Sequence, residues 1–316
     1  MKILITGVHG FVGSNLVSAL SGKNTIYGLD IVAPDKEGVK YTFPWDFLDK
    51  EGEIPPVDAI VHLAGKAHDT KNQAAAEVYF KVNRDLTIKI FEYFCSHPEI
   101  KKFVFFSTAK AAADRVDGVL TEDVVPSPVG PYGESKIAAE NYILSCMRDN
   151  PDAFDGRGVY IFRPCMIHGP GNKGNLNLLY NVVRKGIPWP LGAFENRRTF
   201  TSVENICFAV NGVLTKDVES GIYNMGDDEA LSTNELIEEI CKSLGKKAHI
   251  WRLPKGLMFF VARVGGWLHL PLDSERLRKL TEDYVASNAK IKRALGVERM
   301  PVDAREGLKV TLESFK

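Results

Sequence analysis

Hydrophobic residues in the first half of the chain fall into two alternating patterns. Short, continuous apolar runs occupy residues 3–6, 25–30, 59–63, 103–107 and 159–163. Runs apolar at consecutive positions predict strands buried on both faces. Between them lie stretches with helical spacing: Phe11, Leu16, Val17 and Leu20 within 11–20, then longer segments at 77–95 and 135–148. Strands separated by helices predict a parallel sheet covered on both sides, and crossover handedness makes it doubly wound.

Beyond residue 171 the rhythm changes. Segments lengthen and grow richer in Gly, Pro and Asn, beginning with His168-Gly169-Pro170-Gly171 and continuing through Asn172-Lys173-Gly174-Asn175. Helical spacing returns at 176–185 and at 233–244, the second introduced by Ser232 or Thr233 as capping hydroxyl. A chain of 316 residues is long for one core, so two domains are expected. The predicted fold class is α/β: a doubly wound, Rossmann-type parallel sheet from residues 1–168 plus about 199–228, with a smaller, mixed α/β C-terminal domain from 169–198 plus 229–316.

Candidate chemistry sits at the strand ends. Gly7-Val8-His9-Gly10-Phe11-Val12-Gly13 joins the first strand to the first helix. Glycine there permits a tight turn and close approach of a pyrophosphate, and the helix N-terminus offers free amides to its charge. Asp30 ends the second strand, where a carboxylate holds ribose hydroxyls and repels a ribose phosphate. No Arg follows within the next few positions, so NAD is expected rather than NADP. Tyr132 and Lys136 stand four apart at the start of a helix, on one face. An ammonium beside a phenol favours the phenolate and lowers its pKa toward working pH. Tyr132 would then exchange a hydroxyl proton while hydride moves to or from nicotinamide. Ser107-Thr108 closes the strand over 103–107 at its carboxyl edge, with Thr108 the candidate catalytic hydroxyl and Ser107 its support. Singly, each pattern has a plainer explanation: a Gly-rich turn, a capping Asp, a solvated helix face, a strand end. Their order along one chain favours the chemistry.

Charge and cysteines narrow the partners. Lys plus Arg number 40 and Asp plus Glu number 40, so no global field draws nucleic acid or anionic lipid. Cys95, Cys146, Cys165, Cys207 and Cys241 form no CxxC pair and read as reduced thiols, and no metal site is expected. The apolar stretch 256–272 is interrupted by Arg263, Gly265-Gly266 and His269 and is too short to span a bilayer. It reads as a helix packed in the second domain, with a peripheral membrane contact as the minor alternative.

These residues together resemble an extended short-chain dehydrogenase/reductase of the NAD-dependent epimerase/dehydratase family. The resemblance runs along nearly the whole chain, through Gly7/Gly10/Gly13, Asp30, Asp46-Phe47, His62-Leu63-Ala64-Gly65, Asn83, Ser107-Thr108, Tyr132/Lys136, Arg163-Pro164 and His168-Gly169-Pro170-Gly171. It continues through the stretch from Arg198 to Asn205 and through Tyr223-Asn224-Met225-Gly226. It implies that Gly7, Gly10 and Gly13 underlie the pyrophosphate while Phe11 and Val12 donate backbone amides. Asp30 would bind the adenosine ribose, and Asp46 and Phe47 would border the adenine. Leu63, Ala64, Gly65 and Ser107 would line the cofactor, Asn83 would stand near the nicotinamide end, and Lys136 with Tyr132 would meet the nicotinamide ribose. Thr108, Tyr132, Asn175 and Arg198 would contact the substrate, Arg198 at a phosphate.

Ser107-Thr108-Ala109-Lys110, Asn172-Lys173-Gly174-Asn175 and Asn196-Arg197-Arg198 are similar to the branch holding UDP-glucose 4-epimerases and UDP-4-keto-6-deoxy-HexNAc 4-reductases, which often serves surface polysaccharide synthesis. The chain departs from the family at Met166, where many members have Asn, and at Asp85-Leu86-Thr87. It also has no recognisable Arg-Pro-Gly-Asp stretch, for which Arg276, Arg278 or Lys279 could substitute. The expected activity is therefore C4 epimerisation of a UDP-hexose or UDP-HexNAc, with ketoreduction as the alternative and a non-catalytic NAD sensor as the third reading. A cytoplasmic homodimer, built from the helices over 77–95 and 135–148, is expected.

Overall fold

In chain order the strands of the computed structural model are β1 (Lys2–Thr6), β2 (Thr25–Asp30), β3 (Tyr41–Pro44), β4 (Ala59–His62), β5 (Lys102–Phe106), β6 (Val119–Leu120), β7 (Gly158–Pro164), β8 (Met166–His168), β9 (Phe200–Ser202), β10 (Gly221–Met225) and β11 (Val285–Ala286). The helices are α1 (Phe11–Leu20), α2 (Ala76–Tyr79), α3 (Leu86–Ser96), α4 (Ala109–Ala112), α5 (Pro131–Asp149) and α6 (Asn175–Arg184). They continue with α7 (Val203–Thr215), α8 (Thr233–Ser243), α9 (Lys255–Trp267), α10 (Ser274–Thr281), α11 (Ala289–Leu295) and α12 (Ala304–Glu313). The structure describes residues 1–49, 54–67, 75–172, 174–268 and 272–316; Lys173 and His269, both used above, lie outside them.

Seven strands form one sheet in the order β3-β2-β1-β4-β5-β7-β10, every neighbouring pair parallel. Successive side chains point to opposite faces, so each strand feeds two cores. Ile3, Ile5, Val104 and Phe106 pack with Leu16, Val17, Ile206 and Val210 of α1 and α7. Leu4, Phe103 and Phe105 pack with Ile90, Phe91, Phe94 and Ile143 of α3 and α5. This is the doubly wound sheet expected from the continuous apolar runs, with strand ends differing by a residue. Strand order reverses between β1 and β4, which opens a crevice at their carboxyl ends.

Two sheet strands have no counterpart among the expected ones. β3 is four residues long, lies on the sheet edge and ends at Pro44, so it carries little apolar signal. β10 pairs with β7 from Gly221↔Tyr160 to Met225↔Pro164. The expected helix over 77–95 is three pieces: α2, a π-helical turn over Phe80–Asp85, and α3.

A third apolar cluster joins Leu176, Tyr180, Leu236, Ile240, Met258, Leu277, Leu308 and Leu312, from α6, α8, α9, α10 and α12, with Trp189 and Leu191 of the segment after α6. α8 opens on Ser232, which with Glu235 forms a reciprocal capping box. The expected division at 229–316 is crossed by the chain. Ile291, Leu295 and Met300 return to cover the sheet, because the surface of α7 would otherwise stay exposed there, while α12 goes back to the second cluster.

Candidate active site

The turn between β1 and α1 is wound so tightly that backbone replaces side chain. Gly7 has φ +69°, a region that disfavours other residues, and its backbone lies against Leu63 and Ala64. A Cβ on Gly13 would stand 2.4 Å from the Gly7 carbonyl oxygen. α1 then starts at Phe11 with no side-chain cap and no acid in its first turn. Its leading amides and partial positive charge therefore face the crevice without a resident anion. Asp30 closes the turn from the other side, one carboxylate oxygen accepting from His9 N at 2.9 Å and the other from Ile31 N at 2.7 Å. Asp46 is exposed on a 3-10 turn over Trp45–Asp49, and the Phe47 ring lies 5.0 Å from that of Phe43.

The opposite wall, 63–66, is held by buried hydroxyls and one amide. Thr6 Oγ1 accepts from the amides of Leu63 and Ala64, both at 3.1 Å, and donates to His62 Nδ1 at 2.7 Å. His62 Nε2 in turn donates to Thr87 Oγ1 at 2.9 Å, which is fixed as an acceptor because its own proton goes to the Asn83 carbonyl. Burial, with Lys136 nearby, holds His62 well below the usual imidazole range, so it is the neutral tautomer this relay requires. Asn83 is fully buried within the π-helical turn and clamps Lys66 from both sides, accepting from its N–H at 2.7 Å and donating to its carbonyl at 3.1 Å. It also donates to Ser135 Oγ at 3.0 Å, tying this wall to α5.

α5 begins at Pro131, which has no N–H to leave unpaired, and carries Tyr132 and Lys136 into the crevice from one face. The Thr108 hydroxyl at the end of β5 faces the Tyr132 phenol closely enough to lower its pKa, and Tyr79 packs edge-on to the Tyr132 ring at 6.4 Å. Thr108 also caps α4. Burial raises the Tyr132 phenol above its ordinary value, Thr108 pulls it partly back, and Tyr79 raises it. The expected lowering by an adjacent ammonium is not seen. Lys136 Nζ is occupied by the Phe106 carbonyl at 2.8 Å and lies over the Phe105 ring, under Gly65. Burial lowers Lys136 to about 8, against the pull of Glu140.

Glu140 stands one turn beyond Lys136, fully buried, and grips Arg163 through Nε at 3.0 Å and Nη2 at 2.5 Å. The Ser107 hydroxyl donates to the same carboxylate. Ser107, expected to line a cofactor, thus has its side chain committed to joining β5, β7 and α5 beneath the crevice, in keeping with a supporting role. Glu140 escaped the sequence reading. Its signal was an acid at the fourth and eighth positions after Lys136 and Tyr132, on the face that also buries Ala139 and Ile143.

Cations gather where the second cluster meets the end of β5. Arg198 is bridged to Leu231 and Tyr284 and donates to the Lys279 carbonyl. Of the three candidate cations in 276–279, Arg278 reaches across to Asp114 at 3.4 Å and to Glu282 at 2.7 Å. Lys279 pairs with Glu275 and Arg276 with Asp273 on the solvent side. Asn175 is exposed at the start of α6, and Met166 is half-buried in β8.

The profile of the NAD dependent epimerase/dehydratase family matches residues 3–226. The chain belongs to this family. Within it, UDP-glucose 4-epimerase of Vibrio cholerae is 29% identical, over 99% of this chain and 95% of its own length. The N-acetyl-alpha-D-glucosaminyl-diphospho-ditrans,octacis-undecaprenol 4-epimerase of Escherichia coli O157:H7 is 26% identical, over 92% and 85%. The fold matches that of UDP-glucuronic acid 4-epimerase from Bacillus cereus in complex with NAD, at TM-score 0.73 and 21% identity, covering 100% and 98% of the two chains. The protein is an epimerase/dehydratase-family enzyme of nucleotide-sugar type, and solved relatives of this fold carry NAD.

Proposed function

We propose that this enzyme inverts C4 of a UDP-linked hexose or N-acetylhexosamine by reversible hydride transfer, as a cytoplasmic homodimer joined through α3 and α5. The observation that carries the reading is the juxtaposition of Thr108, at the carboxyl edge of β5, with the Tyr132 phenol, one helical turn from buried Lys136. The crevice suits a dinucleotide: the uncapped start of α1 for a pyrophosphate, Asp30 for a ribose diol, and Gly65, over Lys136 Nζ, for close approach of a ring. The Asp30 carboxylate at the end of β2 would repel a ribose phosphate, which favours NAD over NADP. NAD supplies a hydride acceptor when bound.

The chain's own residues supply the rest. Once its own proton has passed to solvent, Tyr132 as phenolate accepts the proton of the C4 hydroxyl, with Thr108 beside both oxygens, and returns it when the sugar presents its other face. Lys136 gives positive charge at the floor of the crevice, and Arg198 with Arg278 meets the diphosphate. Dehydration lacks an acid/base pair: Ala109 is apolar and Lys110 is held by Asp114 at 3.1 Å.

The test is proton NMR of UDP-glucose and UDP-N-acetylglucosamine with purified enzyme and no added cofactor. The C4 epimer should appear, and Tyr132→Phe should lower kcat about a thousandfold while NAD binding is retained. Stoichiometric consumption of NADH with a 4-keto sugar, without epimerisation, would replace the reading by ketoreduction. Full activity of the Phe variant would remove Tyr132 from the chemistry.

A further inference from the structure

One helix of the C-terminal domain turns its apolar residues both inward and outward. α9 buries Met258, Ala262 and Gly265, spaced four and three apart. The opposite side carries Phe260, 65% exposed, and Trp267, 80% exposed, two turns apart on one stripe. Leu257, Phe259 and Leu268 extend it, each about half exposed. A helix amphipathic for folding alone places polar residues there.

The stripe's own helix carries charge of one sign, while the acids that neighbouring α10 brings, Asp273 and Glu275, are each paired with a cation. The only ionisable residues of α9 are Lys255 and Arg263. Outward aromatic residues mixed with cations, and no acids, complement a surface that is apolar beneath a negative layer. A second copy of the same patch would bring like charges together. At 13 residues α9 is about 20 Å long, short of a bilayer core, and among the described residues no helix is long and apolar enough to cross one.

We propose that α9 is an interfacial anchor lying flat on an anionic phospholipid bilayer. Phe260, Trp267 and Leu268 enter the boundary between headgroups and acyl chains, and Lys255 and Arg263 extend to lipid phosphates. α10 packs against this helix, and its Lys279 carbonyl accepts from Arg198. The inference is independent of which sugar is turned over.

Flotation of the full chain with vesicles tests it. The protein should rise with vesicles of phosphatidylcholine and phosphatidylglycerol in equal parts, and remain below with phosphatidylcholine alone. Molar salt should weaken the association. Phe260→Ser/Trp267→Ser should cut the bound fraction at least about tenfold, because two large apolar side chains no longer enter the boundary. Lys255→Glu/Arg263→Glu, confined to exposed positions, should do the same if the apolar pair perturbs folding. Failure of the native chain to float with anionic vesicles would overturn the proposal, as would both variants floating like it. A fall in native mass of either variant by light scattering, with vesicle binding unchanged, would reassign the face to a second copy.

Discussion

Burial pushes two groups of the crevice in opposite directions. The Tyr132 phenol is raised and the Lys136 ammonium is lowered to about 8, each toward its neutral form. For Lys136 the folded value lies below the ordinary 10.5, so between about pH 8 and 10.5 the unfolded chain holds more protons and stability rises with pH. Below pH 8 both states are protonated and the buried charge is a constant penalty. Lys136→Met should therefore raise stability at pH 7 by on the order of 2 kcal/mol while abolishing turnover. Thermal unfolding at pH 7 and pH 10 checks this: the gain should shrink at the higher pH. Glu140 behaves oppositely. Glu140→Gln leaves the Arg163 guanidinium buried without its counter-charge, at a cost of about 3–5 kcal/mol in urea unfolding. A Glu140→Leu/Arg163→Met pair should recover most of that, since neither charge is then stranded.

At the scale of elements, the π-helical turn over Phe80–Asp85 shows how a side chain redirects a backbone. The Leu86 amide bonds to the Lys81 carbonyl five residues back, while the Thr87 hydroxyl takes the Asn83 carbonyl. The extra residue per turn points Asn83 at Lys66 and Ser135. Asn83→Ala should lose about 2 kcal/mol, because the half-buried Lys66 N–H and carbonyl lose their partner, and should weaken NAD binding about tenfold by calorimetry as the 63–66 wall loosens. Legibility followed the same line. The strands, the glycine turn and the Tyr132/Lys136 spacing could be read because each rests on neighbours within a few residues. The π turn could not, since helical spacing over 77–95 is indifferent to which carbonyl each amide chooses. The spacing marked Glu140 only as an acid on a buried helix face; its role comes from Arg163, 23 residues away on β7. The lowered phenol was expected from a four-residue spacing, but the Phe106 carbonyl competes for the same ammonium.

On the scale of the whole molecule, the chain passes between its two regions repeatedly, and buried polar contacts mark each passage. His168 bonds to Thr311 of α12 at 2.8 Å, and Asp227 receives Ser202 and Asn205 at 2.9 and 2.8 Å. Asn205 also donates to the Val302 carbonyl at 2.8 Å. A Cβ on Gly307 would stand 2.7 Å from that of Ser202, so α12 rests directly on the junction. The C-terminal residues are thus structural members of the first region as much as the second.

The return of α11 has a bearing on biosynthesis. Leu295 fills the notch above Gly212 in α7, where a Cβ would come within 2.5 Å of it, and Ile291 and Met300 complete the same layer. That layer cannot close while α11 is still inside the ribosome, so the nascent protein presents an uncovered apolar shelf until residues 289–300 have emerged. A chain stopped after Tyr284 should partition into the insoluble fraction on expression, with the full-length chain soluble alongside. Termination ahead of α11 would therefore cost the sheet its cover and not merely remove α11 and α12.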